Sequence, residues 1–154
     1  MAYCGKHYVS HVEIQFADEM AASIYADEEV FFRKRSYANP SYRIKAFTVS
    51  ANSYDAMYKF CESAVTRHIG FSNLKMVFGP LLGYKGSCDH TFCSEFVTNA
   101  LQVGGVPFAM KTDAHRNTPS ALLERITRSE TICFDTSAFR LGAEFNLIFL
   151  FLDT

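Results

Sequence analysis

Tryptophan is absent from this 154-residue chain and proline occurs only four times, two scarcities that leave the fold class open. Charge of either sign in excess is also missing, since 15 Lys and Arg stand against 16 Asp and Glu. No basic cluster exceeds Arg33-Lys34-Arg35, whereas a nucleic-acid surface calls for a basic face interleaved with aromatics, so no nucleic-acid partner is expected. The short basic run reads as a solvated face or as the charge guard of an edge strand. Long apolar runs are lacking too. The longest, FNLIFLFL from Phe145 to Leu152, falls far short of the roughly 20 residues that a membrane-spanning helix needs, so no transmembrane segment is expected. The opening MAYCGKHYVSH has no apolar signal core, and the five cysteines form an odd set without regular spacing. No disulfide framework follows from them, and a reducing, cytoplasmic setting is expected.

What is present is apolar and aromatic: 49% hydrophobic residues, including 15 Phe and 8 Tyr. A chain of this length forms one domain, 1-154, that buries about two thirds of its unfolded surface. His7 to Phe16 alternates, with Val12, Ile14 and Phe16 on one face and His11, Glu13 and Gln15 on a polar, solvated one. Ala21 to Ala26, Val30 to Ser36 and Tyr42 to Ser50 read as further strands, with Asn39-Pro40 as a turn. From Ser50 to Ile69 the period becomes helical, with Tyr54, Met57, Tyr58, Cys61, Ala64, Val65 and His68 inward and Gly70 as the stop. His68 reads as a residue satisfying the helix end. Phe71 to Ser87 is a short helix and a glycine-bearing loop. Thr118-Pro119 opens a later helix, with Leu122, Leu123 and Ile126 buried. TICFDTSAF and EFNLIFLFL close the chain as a strand pair around a Leu141-Gly142 turn. The lack of alternation in the second marks a buried, central strand. The order of elements is that of an α+β domain.

The stretch Asp89 to Gly105 organises the rest. Asp89 and Thr91 are capable N-caps, Glu95 adds negative charge to the first turn, and Gly104-Gly105 supplies a stop. On this helix Cys93, Phe96, Val97, Ala100, Leu101 and Gly104 share the inward stripe. Unpaired N–H groups and the helix dipole at such a start favour thiolate over thiol. The competing reading is simple packing, because free cysteine is among the most buried residue types. Cys61, mid-stripe on its own helix, reads as core.

Three constellations carry chemistry. Cys93 with His11 is a thiol nucleophile and a general base brought together by the fold. Cys88, His90 and Cys93, with Cys4 and His7, are zinc-type ligands, but CDHTFC lacks the paired hooks of a structural zinc site, so neither a metal nor any other cofactor is expected. A redox pair of Cys88 and Cys93 rests only on closeness in sequence.

SHVEIQF followed by HTFCSEFVTNAL resembles the circularly permuted branch of the NlpC-type papain-like fold, which includes lecithin:retinol acyltransferase-like enzymes and several viral proteins. In that branch the histidine strand precedes the cysteine helix, and the likeness spans roughly Ser10 to Leu101. It implies a permuted papain-like fold in which an antiparallel sheet packs against the cysteine-bearing helix. It further implies acyl transfer through a thioester on Cys93, with His11 as general base. The substrate would be a small molecule, lipid or peptide with an amide or ester bond. A third polar residue usually lies on the second strand, where this chain has Ser23. Glu13 shares a strand face with His11 and carries charge, so both are candidates to orient the imidazole. A viral member would reside in the host cytoplasm or the virion. The alternative from another class is an inactive module of the same fold that binds protein or lipid.

Overall fold

The computed structural model describes residues 9–37, 41–132 and 144–153. In chain order these form β1 (Val9–Gln15), β2 (Met20–Ser23), β3 (Phe31–Lys34), β4 (Tyr42–Ser50) and α1 (Ala51–Thr66). There follow β5 (Gly70–Phe71), α2 (Asn73–Leu82), β6 (His90–Thr91), α3 (Cys93–Val103), α4 (Pro107–Met110), a 3-10 turn (Ala114–Arg116), α5 (Pro119–Ile132) and β7 (Glu144–Asp153). Five strands make one sheet in the order β3-β2-β1-β7-β4, each pair antiparallel. The chain is therefore a mixed α+β protein with an antiparallel sheet. None of its described helices is long and apolar enough to cross a membrane.

The two most apolar strands take interior positions. β7 bonds β1 on one side, from Val9↔Asp153 to Gln15↔Ile148, and β4 on the other, from Tyr42↔Leu152 to Ser50↔Glu144. Its Phe149 and Phe151 are fully buried. The expected partner strand differs: Thr131 and Ile132 belong to α5, and the rest of that segment, with Cys133 and the Leu141-Gly142 turn, lies outside the described residues. Asn39-Pro40, Cys4 and His7 also lie outside them.

β1 is the middle strand, and this corrects its sequence reading. The face carrying His11 and Glu13 is not solvated, for Glu13 is 0% and His11 7% exposed. Val12, Ile14 and Phe16 join the core, and Phe16 meets Tyr54 and Tyr58 of α1 edge to face at 5.2 and 5.0 Å. The other face is covered by tyrosines, described below.

Ser50 ends β4 and caps α1, its Oγ accepting from Ser53 N at 3.2 Å. The buried side of α1 is Tyr54, Met57, Cys61 and Ala64. Val65 and His68 are exposed instead, because the helix ends at Thr66 and the chain turns back through His68 in the left-handed region (φ 52°). His68 Nδ1 meets Glu29 at the surface, not the helix end. Thr118 Oγ1 accepts from Ala121 N at 3.2 Å as α5 begins at Pro119, and Leu122 and Ile126 are buried. α3 is buried more widely than its stripe suggests, since Ser94, Glu95 and Thr98 are hidden along with Cys93, Phe96 and Val97. Polar partners from the 3-10 region cover that second side: Asn117 Nδ2 donates to Thr98 Oγ1 at 2.8 Å, and Thr98 Oγ1 to Ser94 O at 2.6 Å.

Candidate functional site

Cys93 is the first residue of α3, and the chain reaches it through an extended Phe92 that offers no side-chain cap. The two expected caps are employed differently. Asp89 is exposed, and the Thr91 hydroxyl donates to Glu95 Oε2 at 3.1 Å. Among the described residues no side chain caps the first-turn N–H groups of α3, which leaves the positive end of the helix dipole beside Cys93.

α3 packs on β1, and the Cys93 side chain comes within hydrogen-bonding reach of His11. In register, β2 pairs Ala22 with Ile14, so it ends at Ser23 before drawing level with His11. The chain beyond it lays Tyr25 flat on the imidazole, with ring centres 4.4 Å apart. His11 Nε2 lies 3.3 Å from Glu13 Oε1, close enough for an ion pair but off the line of an ideal hydrogen bond, since Nε2 has no aligned acceptor. Burial opposes charge on the imidazole. Interaction with the Cys93 thiol and with the Glu13 carboxylate outweighs that penalty and raises the His11 pKa from 6.5 to about 9. His11 is therefore an imidazolium at neutral pH, flanked by sulfur and carboxylate.

Glu13 is held as an anion in a cage. Burial raises its pKa, but the close approach of His11, the hydrogen bonds from Tyr25 and Tyr37 and the charge of Arg35 prevail and keep it below the ordinary value. Tyr25 OH donates to Oε1 at 2.5 Å, Tyr37 OH to Oε2, and Tyr42 OH stands 3.5 Å from Oε1. Arg35 Nε lies 3.4 Å from Oε2. A buried carboxylate is tolerated only when paired and hydrogen-bonded in this way. The donors come from β4 and the β2–β3 region, so they fix the carboxylate beneath the histidine.

Of the two candidates for orienting His11, Glu13 touches it. Ser23 is fully buried, and its Oγ donates to Val12 O at 2.6 Å, tying β2 to β1. Cys61 is fully buried and its thiol pKa is pushed up by burial. Cys88 is exposed while Cys93 is buried, and both are free thiols. Among the described residues no group of three or more His, Cys, Asp or Glu is placed to hold a metal.

Several site residues escape sequence reasoning. Arg35 belongs to a run that reads as surface charge, and of the cage tyrosines only Tyr42 falls in an alternating strand. Glu95, read as a first-turn charge, is 1% exposed and sits in a second buried cluster. Lys75 Nζ is 3.3 Å and His115 Nδ1 2.5 Å from Glu95 Oε1, and Lys75 also donates to His90 O at 2.6 Å. A cleft of about 330 Å³, lined in part by Lys75, His90, Glu95, Phe96, Asn99 and His115, borders this cluster. Its clue in the sequence is a lone lysine near the start of the largely apolar segment NLKMVFGPLL. No family model, curated protein or solved structure matches this chain.

Proposed function

We propose that this protein is a cysteine-dependent hydrolase or acyltransferase of permuted papain-like architecture. The observation that carries this reading is the line Cys93, His11, Glu13: a thiol at an uncapped helix start, an imidazolium, and a buried carboxylate. With Nε2 turned towards Glu13, Nδ1 is the nitrogen left for the sulfur. The chain order, histidine strand before cysteine helix, agrees with the permuted arrangement.

In the reaction, the Cys93 proton already sits on His11, and the resulting thiolate attacks the carbonyl carbon of an ester or amide; its electron pair forms the C–S bond while the C=O π pair moves onto the oxygen as negative charge. The free N–H groups at the start of α3, that of Cys93 among them, stabilise this oxyanion. The C–O or C–N bond to the leaving group then breaks, and the His11 imidazolium gives that group its proton. Water or another acceptor attacks the resulting thioester, His11 takes the acceptor's proton, and the thiolate leaves. Glu13 fixes the ring and favours its charged form.

Thiol alkylation tests this without a known substrate. At about pH 6, iodoacetamide should modify Cys93 ahead of the other thiols, and His11→Ala should abolish the preference. Uniform slow labelling of all five cysteines would remove the enzyme reading.

One observation favours a second reading, that of a binding module. Leu74, Val77, Phe78, Leu81 and Leu82 of α2 are 43–76% exposed on one side of a short helix. Outward apolar faces of this kind suit a protein or lipid surface. Full retention of partner capture in Cys93→Ala, with no thiol reactivity in the native chain, would support it.

A further inference from the structure

Glu95 occupies the third position of α3, counting Phe92 as the N-cap. A glutamate there ordinarily folds back to accept from the N-terminal N–H groups of its own helix, as in the capping box. Here its oxygens meet side chains instead of backbone N–H groups. Oε2 accepts from Thr91 Oγ1, and Oε1 lies 3.3 Å from Lys75 Nζ and 2.5 Å from His115 Nδ1, the latter off the line of a hydrogen bond. Lys75 is 3% exposed although it belongs to a helix whose large apolar residues face outward.

We propose that Lys75 and His115 are positioning residues that hold the Glu95 carboxylate away from the start of α3, so that its N–H groups stay open to a substrate oxyanion. This rests on the acyl-transfer reading above and names how the same site is kept competent. Burying a lysine and a carboxylate together rarely adds net stability over apolar packing, so the pair's place in the fold needs another reason. Its geometry supplies one. Lys75 fixes both the Glu95 side chain and the His90 carbonyl, that is, the chain entering and leaving Cys93. α2 is pressed against the 3-10 turn so closely that a Cβ at Gly79 would come within 2.4 Å of His115 O, a backbone atom that cannot swing aside. Both of these partners of Glu95 are therefore set by one tight contact between α2 and the segment bearing His115.

Freed of Lys75, the carboxylate would swing onto the helix start, filling the oxyanion position and placing negative charge beside the sulfur. The readout is the ratio of Cys93 alkylation rates by iodoacetate, an anion, and iodoacetamide, its neutral counterpart. Lys75→Met should lower this ratio several-fold. Lys75→Arg should keep it, and adding Glu95→Gln to Lys75→Met should restore it. Loss of the Lys75 charge would by itself disfavour the anion, so His115→Gln, which keeps that charge, must lower the ratio as well; a fall confined to Lys75→Met overturns the inference. An unchanged ratio in Lys75→Met overturns the inference. If that variant does not fold, His115→Gln decides by the same ratio, a fall supporting the inference and no change overturning it. Failure of the acyl-transfer reading looks different, because the native Cys93 would then label no faster than the other thiols.

Discussion

His11 and Glu13 are next-but-one neighbours on β1, and the carboxylate oxygen Oε1 stands 3.3 Å from the imidazole Nε2. Side chains two apart on a strand share a face but do not ordinarily bend towards each other. Tyr25 resolves this by serving both, stacking on the ring and donating to the carboxylate.

The pair sets a pH dependence. His11 is charged up to about pH 9, so thioester formation should lose its proton donor as pH rises through that value. Glu13→Gln removes one of the two groups that raise the imidazole pKa. Its alkaline limb should move to lower pH, which a pH profile of acyl-probe turnover would show. A limb left in place would mean that Glu13 does not act on His11.

Removing the imidazole itself should cost more. Positioned proton transfer contributes about 10²–10⁴-fold, so His11→Ala should lower turnover of an activated ester by that order with folding intact by circular dichroism. A loss below tenfold would assign the proton to another group.

The same shift acts on stability. The folded-state pKa of His11 is raised from 6.5 to about 9, so its contribution is complete below 6.5 and is lost as pH climbs through 9. Glu13, with a depressed pKa, contributes above its unfolded value of 4.5 and loses that contribution on acidification. Denaturant midpoints measured from neutral to alkaline pH should fall more steeply for the native chain than for His11→Gln. Parallel curves would contradict the linkage.

Ser23→Ala should separate the two orienting candidates. It deletes a buried hydrogen bond to Val12 O, at a cost of about 1 kcal/mol, and should leave Cys93 alkylation by iodoacetamide unchanged. A large loss of reactivity would return Ser23 to the site.

β1, β4, the helix from Ser50 and the cysteine helix are legible because each follows a local period, whereas β2 is legible only as a short apolar run between acidic segments. Val12, Ile14 and Phe16 alternate, and Cys93, Phe96, Val97, Ala100 and Leu101 repeat at helical spacing. The Glu13 cage was not legible. Tyr25, Tyr37, Tyr42 and Arg35 meet only after β2 and β4 have found their places in the sheet, and nothing local records that outcome. The burial of His11 and Glu13 is hidden for the same reason, since alternation tells which residues share a face but not whether that face is covered. The helix caps show a third kind of miss. Thr91 has the right chemistry for capping, yet the helix begins at Cys93, and a buried Glu95 two residues further on claims the hydroxyl. His68 shows a fourth, where a turn in the left-handed region cut the helical stripe short.

The inverted character of α2, with Lys75 turned in and its leucines turned out, also governs how the molecule behaves in bulk. An apolar ridge in water is sensitive to the solvent's cohesion, so sulfate salts should drive the chain out of solution early and onto alkyl-substituted resins. Leu81→Glu with Leu82→Glu should elute ahead of the native chain from such a column, since both side chains are already 72–76% exposed and the core is untouched.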